Sequence, residues 1–476
     1  MSYSAFFQPS PAAVGDVIPV ELDGVFWLFY LLERREDPKP GTPWALVRTK
    51  DFVRFDDVGV AFDHGDDSAP DFNVYTGSVV RDDSGAVHLY YTGQNPNRLG
   101  VDGQPLQVVR RASSGDGMAT WVRDQEWKLP APQGHVPGDW RDPFVLRDPR
   151  DGRWRMLVAG RRDDAPERRS GVIAQLTSTD LDTWTHAEPF WAPERYLMME
   201  CPDVFAWGDW WYLVYSEFTD SFTTRYRMSR SLDGPWLVPD HDTIDGRAFY
   251  AAKSADRDGR RFFFGWIASK EDARDDGAWL WAGTLSTLEA RQHDDGTLAF
   301  GLPRELLTSF DQVVDAGLDV SPGTRLHAPD GRQAIASGGH LPQCVLVTAV
   351  FDVSPGTTEV GLVLRASDDG EEGYVVRLEP RRHRMVLDRW PRAVTGPAQW
   401  QVSGDVPFEL ERPADLPPGE HTLEVLLDGD AMVAVLDGEV ALSARCYDRP
   451  SGGLAVFVGE GSTEIRSLTV RERSDT

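Results

Sequence analysis

The sequence predicts an all-β fold, a five-bladed β-propeller followed by a C-terminal β-sandwich, and three observations support this prediction. Helical periodicity is nearly absent, and short apolar or aromatic runs are separated by Gly, Asp, Asn and Pro. One kind of unit, a turn that leads into an apolar strand, recurs five times. After residue 309 this unit no longer recurs, and predicted strands alternate with turn residues.

The five repeated units predict the five blades. Each unit combines a turn rich in Asp and Gly with a strand, and Gly tolerates the positive φ angles of tight hairpins. Consecutive units lie about 50 to 65 residues apart, a period typical of small sheets repeated around a propeller axis. A long stack of sandwiches explains this regular period less well. The five strands are Val25–Tyr30, Val87–Tyr91, Trp154–Ala159, Trp210–Tyr215 and Arg261–Ile267.

The change of character divides the chain into two predicted domains, a propeller of residues 1–309 and a sandwich of residues 310–476. After Leu298–Leu307, strands such as Cys344–Phe351 and His421–Leu427 alternate with turn residues, which favours two packed sheets. No low-complexity linker separates the two parts. We therefore expect them to pack directly against each other.

The composition limits the classes of partner. Lys and Arg total 49 and Asp and Glu total 76, which gives a net charge of −27. Such a surface repels nucleic acid and anionic membranes, so we expect neither as a partner. The charge suits a protein that acts on a neutral or cationic ligand, although a general solubility adaptation explains it at least as well. No run approaches 18 apolar residues and no secretory signal is visible, so we expect a cytoplasmic protein. The oligomeric state stays open.

Metal and cofactor motifs are absent from the sequence. The three cysteines, Cys201, Cys344 and Cys446, are far apart and lack the spacing of a zinc site or a disulfide framework. The ten histidines show no H-x-x-x-H pair, and no glycine-rich phosphate loop follows a strand. We expect no metal and no cofactor.

Three acidic residues lie in apolar or aromatic stretches near strand starts: Asp16 in AVGDVIP, Asp142 in DWRDPFV and Glu200 in LMMECPDVF. Inner strands of different blades line the channel of a propeller, so these acids can converge there. Cleavage of a glycosidic bond with retention uses two carboxyl groups ~5 Å apart. Acids at strand ends also form turns or pair with arginine, and Arg141 directly precedes Asp142. The residues alone leave both interpretations open.

Several short motifs occur in a specific order through residues 6–305. Together they resemble those of glycoside hydrolase family 32, the invertases, inulinases and levanases. Two further stretches, Trp44–Phe62 and Thr177–Trp184, resemble the family segment in which a strand leads to S-x-D-L-x-x-W. The short motifs are Glu200–Asp203 (ECPD), Arg141–Pro143 (RDP), Tyr75–Ser78 (YTGS, similar to F-S-G-S) and Phe249–Ala251 (FYA).

The resemblance implies retaining hydrolysis, without a cofactor, of fructofuranosyl or related furanosyl bonds in sucrose, fructo-oligosaccharides or fructans. Asp16 would be the nucleophile, Glu200 the general acid/base, and Asp142 would bind sugar hydroxyls and stabilise the transition state. The substrate-binding residues that it implies are Trp44, Tyr75, Ser78, Arg141 and Tyr250.

The first motif departs from the family pattern. The family usually has W-M-N-D-P-N-G, whereas Ala13–Pro19 reads AVGDVIP and lacks the Trp and both Asn residues that shape the fructosyl subsite. After FYA, Ala252 and Lys253 replace the usual Pro-Gln. Two alternatives to a hydrolase therefore stay open. One is a fructosyltransferase of the same fold, and the other is a carbohydrate-binding protein that has lost turnover.

Overall fold

The structure is a computed structural model that describes residues 3–392 and 409–474. Regular structure in these ranges is almost entirely β-strand, which confirms the predicted all-β class. No helix in the same ranges is long and apolar enough to cross a membrane. The short helices found there are α1 (Arg304–Thr308) and the 3-10 turns Glu167–Arg169, Glu271–Ala273 and Pro380–Arg382.

Of the described residues, 13–301 form five antiparallel blades. Blade 1 contains β1 (Ala13–Leu22), β2 (Val25–Glu33), β3 (Trp44–Thr49) and β4 (Asp56–Phe62). Blade 2 contains β5 (Asn73–Arg81), β6 (Val87–Leu99), β7 (Pro105–Ser114) and β8 (Val122–Pro130). Blade 3 contains β9 (His135–Arg147), β10 (Trp154–Arg162), β11 (Gly171–Ser178) and β12 (Thr185–His186).

The last two blades are built in the same way. Each of the five strands predicted from the repeated turns lies within the second strand of its blade, so these five predictions are confirmed. Blade 4 contains β13 (Glu200–Trp207), β14 (Trp210–Glu217) and β15 (Thr223–Ser229). Blade 5 contains β16 (Phe249–Arg257), β17 (Arg260–Lys270), β18 (Trp279–Gln292) and β19 (Leu298–Gly301).

The first strand of each blade faces a common axis. β1 contacts β5, β5 contacts β9, β9 contacts β13, β13 contacts β16, and β16 contacts β1 again. This closed ring makes the first strands the inner strands of a five-bladed propeller. Blades 1 and 5 also join through a bridge between Val14 and Gly283. The ring therefore closes between the start and the end of the propeller sequence.

The tight turns have the backbone geometry that their sequence predicts. Asp23 and Gly24, between β1 and β2, have φ angles of 51° and 77°. Asp258 and Gly259, between β16 and β17, have φ angles of 55° and 76°. Two consecutive positive φ angles define a type I′ turn, whose twist matches that of the flanking strands. The Asp-Gly pairs thus set the register in which an inner strand meets its neighbour.

The described part of the chain after residue 309 forms a second unit around one long bent strand. The first half of β30 pairs with β23 and its second half pairs with β22, so the strand belongs to both layers of a sandwich, as predicted. The strands are β20 (Gln312–Val313), β21 (Thr324–Ala336), β22 (Cys344–Val353), β23 (Glu359–Ala366), β24 (Gly373–Glu379), β25 (Arg384–Trp390), β26 (Leu410–Pro413), β27 (Gly419–Asp428), β28 (Ala431–Leu436), β29 (Val440–Arg445) and β30 (Gly453–Glu472).

The propeller and the sandwich pack directly against each other through buried arginines. Arg445 donates hydrogen bonds to the backbone carbonyls of Ile267 and Ala268, at 2.7 and 3.0 Å. Arg412 donates to the carbonyl of Ile244 at 3.0 Å. These hydrogen bonds join the sandwich to β17 and to the segment that follows β15. The division of the chain between residues 309 and 310 stays a prediction.

Candidate active site

Each of the five inner strands contains a β-bulge, an extra residue that shifts its register against the second strand of its blade. A bulge re-aims side chains, and bulges are frequent beside active sites. The bulges lie between Val14 and Val17, Tyr75 and Gly77, Arg141 and Phe144, Glu200 and Asp203, and Tyr250 and Lys253.

Three of these bulges hold a residue other than glycine in the left-handed backbone region. The φ angles are 59° at Asp142, 51° at Cys201 and 54° at Ala251. Such angles are uncommon for these residue types and persist where the surrounding structure enforces them. In a regular strand, consecutive side chains point to opposite faces. Here the consecutive side chains of Glu200 and Cys201 both contact residues of the same site.

The three predicted acids converge around Cys201. Its sulfur lies 3.7 Å from Oδ2 of Asp16 and 3.8 Å from Oδ2 of Asp142. Its backbone N–H donates a hydrogen bond of 3.0 Å to the same oxygen of Asp142. Glu200 precedes Cys201 in the chain. The charge of Glu200 acts on both Asp16 and Asp142, so carboxyl groups from blades 1, 3 and 4 lie near one another inside the propeller.

Asp16 is held by two hydrogen-bond donors from neighbouring blades. The hydroxyl of Thr76 donates to Oδ2 at 2.6 Å, and the indole N–H of Trp266 donates to Oδ1 at 3.1 Å. Burial raises the pKa of Asp16, and the hydrogen bond from Thr76 acts in the opposite direction by favouring the charged form. Both carboxylate oxygens are therefore fixed in position, because each accepts a bond from a fully buried side chain.

Glu200 is held at both of its carboxylate oxygens. Arg141 donates to Oε1 from Nε at 3.1 Å and from Nη2 at 3.0 Å. The hydroxyl of Tyr250 donates to Oε2 at 2.8 Å. The ring of Tyr250 in turn stacks on Phe222, with a centroid distance of 3.7 Å and an angle of 19°. The orientation of Glu200 thus depends on residues from blades 3 and 5.

Asp142 is the most enclosed of the three acids. Burial raises the pKa of Asp142 to about 7; the charge of Arg141 opposes this rise, and those of Glu200 and Asp16 add to it. Its backbone N–H donates to the hydroxyl of Thr92 at 2.8 Å. That hydroxyl donates to the carbonyl of Thr76 at 3.1 Å. The backbone of Asp142 is thus connected through Thr92 to Thr76, the residue whose hydroxyl donates to Asp16.

The two halves of the chain match two models of one family. Residues 17–298, more than half of the chain, match the model described as glycosyl hydrolases family 32 N-terminal domain. The chain belongs to glycosyl hydrolases family 32. Residues 325–472 match the C-terminal model of the same family, which agrees with the order of propeller and sandwich in the structure.

Characterised proteins similar to this family 32 chain come from several bacteria. A levanbiose-producing levanase of Bacillus subtilis (strain 168) is 23% identical, and the match covers 95% of this chain and 87% of the relative. A sucrose-6-phosphate hydrolase of Escherichia coli is 26% identical, with 86% and 81% covered. A raffinose invertase of the same species is 27% identical, with 90% and 85% covered.

Solved structures share the fold along the whole chain. Fructan 1-exohydrolase IIa from Cichorium intybus superposes with a TM-score of 0.77 at 18% identity, covering 100% of this chain and 97% of that one. Exo-inulinase from Aspergillus awamori superposes with a TM-score of 0.74 at 18% identity, covering 99% and 98%. At this identity the comparison establishes the arrangement of propeller and sandwich.

Trp44 and Ser78, which the family resemblance implies as substrate-binding residues, are buried inside the blades. Trp44 is completely buried against Phe29, and its indole N–H donates to the carbonyl of Tyr75 at 3.2 Å. Ser78 is buried, and its hydroxyl accepts a hydrogen bond of 3.1 Å from the backbone N–H of Val145. The side chains of both residues thus bond to the backbone of the next blade.

The other predicted binding residues lie nearer the acids. Arg141 and Tyr250 contact Glu200 directly. Tyr75 is half-buried, and burial raises its pKa to about 12, so its hydroxyl stays protonated at neutral pH. The charges of Arg141 and Asp16 act on Tyr75, which places this side chain within electrostatic range of both.

Four residues of the site were not singled out as candidates from the sequence. Thr76 and Trp266 hold Asp16, and Thr92 supports both acids. Lys253 is buried, donates to the carbonyl of Gly77 at 2.8 Å, and its positive charge favours the ionised form of Asp16. The replacement of the family's usual Pro-Gln by Ala-Lys after FYA was the sequence signal for Lys253. Trp266 lies in an apolar run and carries no comparable signal.

The site combines carboxyl groups with one thiol. Across 3–392 and 409–474, no group of three or more His, Cys, Asp or Glu residues is arranged to hold a metal ion. Cys201 is enclosed by the acids, and burial raises its pKa well above the usual value, so it stays a neutral thiol. Arg141 and Lys253 are cations close to these carboxyl groups.

Proposed function

We propose that this protein is a retaining glycoside hydrolase that cleaves fructofuranosyl bonds in sucrose, fructo-oligosaccharides or fructans. One observation carries the proposal: carboxyl groups from three blades meet around Cys201 in a chain that belongs to family 32. The names of the similar bacterial proteins, a levanase, a sucrose-6-phosphate hydrolase and a raffinose invertase, support this class of substrate.

Asp16 acts as the nucleophile. Its carboxylate attacks the anomeric carbon, and a covalent glycosyl-enzyme ester forms as the bond to the leaving oxygen breaks. The bonds from Thr76 and Trp266 fix the carboxylate so that attack needs little reorganisation. The role of Asp16 rests on this geometry, because the match to the family model begins one residue after it.

Glu200 acts as general acid and then as general base. It protonates the leaving oxygen in the first step, and in the second step it removes a proton from the water that attacks the ester. The bonds from Arg141 and Tyr250 keep the carboxyl group directed at the reacting oxygen. Both donors come from strands with bulges, which support a fixed geometry.

Asp142 binds hydroxyl groups of the sugar at the reaction centre. One of its oxygens accepts the N–H of Cys201, and the other oxygen can accept a sugar hydroxyl. A hydrogen bond to a carboxylate strengthens as positive charge develops on the sugar ring in the transition state. This is the interaction through which Asp142 accelerates the reaction.

Incubation with sucrose, raffinose, inulin and levan, followed by chromatography of the sugars, tests the proposal. Hydrolysis releases free fructose, and Asp16→Asn abolishes the release. Longer oligosaccharides at high sucrose concentration would identify a transferase of the same fold. Binding of these sugars without any product would contradict both and identify a carbohydrate-binding protein. Sucrose 6-phosphate as a further substrate measures whether a phosphate is preferred.

We also propose that residues 1–309 contain every catalytic group and that residues 310–476 stabilise the propeller. The arginines that reach from the sandwich to carbonyls of blades 4 and 5 support this division of roles. A chain that ends at residue 309 and is folded and fully active would contradict it.

A further inference from the structure

We propose that Lys253 is a positioning residue for the nucleophile: its side chain crosses the channel of the propeller, ties blade 5 to blade 2, and places a positive charge among the inner strands. The proposal rests on the proposed function, which makes Asp16 the nucleophile. It concerns a buried charged side chain that takes no step in the mechanism above. The observations that support it are the path of the side chain, the residue that accepts its hydrogen bond, and the groups that compensate its charge.

The side chain of Lys253 spans two blades that are not neighbours. Lys253 lies in β16, the inner strand of blade 5. Its ammonium group donates a hydrogen bond of 2.8 Å to the backbone carbonyl of Gly77 in β5, the inner strand of blade 2. Both strands contact β1, which lies between them and carries Asp16. The bond therefore crosses the channel from one neighbour of the nucleophile strand to the other.

The ammonium group lies at the level where the inner strands have their bulges. Gly77 ends the bulge of β5, and Lys253 itself ends the bulge of β16. The ring of Phe144, at the end of the bulge in β9, has its centroid 5.7 Å from Nζ. The lysine side chain is buried. Blades 2, 3 and 5 thus enclose the positive charge beside the bulge that holds Asp142.

Gly77 is a rigid acceptor for this hydrogen bond. A Cβ atom on Gly77 would lie 1.8 Å from the carbonyl oxygen of Tyr90 in β6, so the backbone packs too closely here for any side chain. Gly77 directly follows Thr76, whose hydroxyl donates to Oδ2 of Asp16 at 2.6 Å. A bond that holds the carbonyl of Gly77 therefore also restrains the residue that holds the nucleophile.

Carboxyl groups of the channel compensate the charge of Lys253 without a direct ion pair. In residues 3–392 and 409–474, no carboxylate oxygen lies within ion-pair distance of its ammonium group. The charge of Lys253 nevertheless lowers the pKa of Asp16 in blade 1 and of Asp203 in blade 4, in each case against the larger rise caused by burial. An opposite charge nearby favours the ionised form of a carboxyl group. Lys253 is therefore placed to keep the nucleophile ionised.

Other ionisable groups surround Asp16 and form the background against which Lys253 acts. The charge of Glu200 raises the pKa of Asp16. The charge of Arg261 acts on Asp203 in the same direction as that of Lys253. A variant of Lys253 leaves all of these groups in place, so its comparison with the wild type isolates the lysine. The further groups whose pKa the charge of Asp16 raises are Asp142, Cys201, Tyr75 and Tyr250.

Lys253→Met removes the charge and the hydrogen bond from a side chain of similar length. We expect the ratio of kcat/KM between variant and wild type to fall about tenfold from about pH 7 to about pH 5, because a nucleophile without its cation needs a higher pH to ionise. Lys128→Met removes an exposed lysine from β8, the outer strand of blade 2, and should leave the pH profile unchanged. A ratio for Lys253→Met that is constant with pH would overturn the proposal.

Lys253→Gln separates the charge from the hydrogen bond. The neutral amide can donate to the carbonyl of Gly77, so the acidic limb of the profile should move as in Lys253→Met. Because the restraint on Thr76 is retained, kcat at neutral pH should stay closer to the wild type than in Lys253→Met. A limb that moves in Lys253→Met and not in Lys253→Gln would show that the charge is not the cause, and would overturn the proposal.

A double-mutant cycle in denaturant unfolding tests the same pair without turnover. The cycle compares the wild type, Asp16→Asn, Lys253→Met and the double variant, and its coupling term reports the interaction between the two side chains. We expect a coupling of about tenfold in the unfolding equilibrium constant at about pH 8, and little at about pH 4, where the carboxyl group of Asp16 is protonated. A coupling that is absent at both pH values would overturn the proposal.

The cycle also separates this proposal from the proposed function. If the wild type cleaves no sugar and the pH-dependent coupling is found, the hydrolase proposal fails and the placement of Lys253 stands. If the wild type cleaves sugar but shows neither the coupling nor the movement of the acidic limb, only the proposal for Lys253 fails. A protein with no coupling and no cleavage would contradict both.

Discussion

The hydroxyl of Tyr250 donates a hydrogen bond of 2.8 Å to Oε2 of Glu200, while the guanidinium group of Arg141 donates to Oε1. The tyrosine comes from blade 5 and the arginine from blade 3, on either side of blade 4, which carries Glu200. Glu200 is thus held by both neighbouring blades. A group that is fixed in this way can serve the two steps of a retaining mechanism without a change of rotamer.

Glu200→Gln should lower the rate on sucrose and fructans about 10²- to 10⁴-fold, because the amide cannot donate the proton that the leaving oxygen needs. An aryl fructofuranoside with a good leaving group needs little protonation, so the first step on this substrate should be affected less. Values of kcat/KM on both substrates, which report the first step and not the hydrolysis of the ester, check this prediction. Glu371→Gln, in an exposed turn of the sandwich, is the matched control. Equal losses on both substrates would contradict the assignment of Glu200 as the acid.

Thr76→Val should move the acidic limb of the kcat/KM profile to higher pH. The hydroxyl of Thr76 favours the charged form of Asp16, so its removal raises the pKa of Asp16 further. A nucleophile must be ionised, and the enzyme therefore loses activity at a higher pH as the solution is acidified. Thr76→Ser keeps the hydroxyl and should leave the limb unmoved. A limb that does not move in Thr76→Val would exclude Asp16 as its origin.

Asp142→Asn should stabilise the fold at neutral pH while it removes activity. Burial raises the pKa of Asp142 from 3.8 to about 7, so between these values the folded chain holds a proton that the unfolded chain has released. Stability therefore falls as the pH rises through this window and levels off above it. The asparagine variant lacks this loss, which is on the order of 2–4 kcal/mol.

Denaturant unfolding of the wild type and Asp142→Asn at pH 4, 5.5 and 8 measures this effect, with the three pH values chosen to span about 3.8 to about 7. The advantage of the variant should be largest at the highest pH and should shrink toward the lowest. The difference between the two proteins removes the contributions of all other titrating groups. A difference that is constant with pH would show that the carboxyl group of Asp142 is not destabilised by burial.

Arg445→Met should lower the free energy of unfolding by about 3–5 kcal/mol, because it leaves Asp430 buried without its cation and removes the bonds to Ile267 and Ala268. Arg466→Met is the matched control, since its ion pairs are exposed and such pairs contribute about 0–1 kcal/mol. Thermal unfolding by calorimetry compares the two. Equal stabilities would mean that the arginine does not couple the sandwich to the propeller.

The blade architecture could be predicted from the sequence because it depends on local signals. Turns rich in Asp and Gly, apolar strands and their spacing identify the second strand of every blade, and the acids lie in motifs that occur in a fixed order. Each of these signals occupies a few consecutive residues. They require no knowledge of which strands pair, so the positions of Asp16, Asp142 and Glu200 could be proposed without a structure.

The fine structure of the site could not be predicted, because it depends on register and on packing between blades. A bulge appears only when two strands are aligned. The directions in which the side chains of Glu200 and Cys201 point therefore depend on how β13 pairs with β14. Trp44 and Trp266 look alike in the sequence, since both lie in apolar strands. Only the blade packing makes one a core residue and the other a donor to Asp16.

We propose that Asp16 forms a covalent intermediate which Glu200 helps to hydrolyse, and peptide mass spectrometry can detect this intermediate. Glu200→Gln incubated with an aryl fructofuranoside should form the ester at a useful rate but hydrolyse it slowly, because the base for water is missing. After quenching and digestion, the peptide that contains Asp16 should carry the mass of one anhydrohexose, and Asp16→Asn should carry none. Release of the aryl alcohol with no adduct on Asp16, or with an adduct on another residue, would contradict the account.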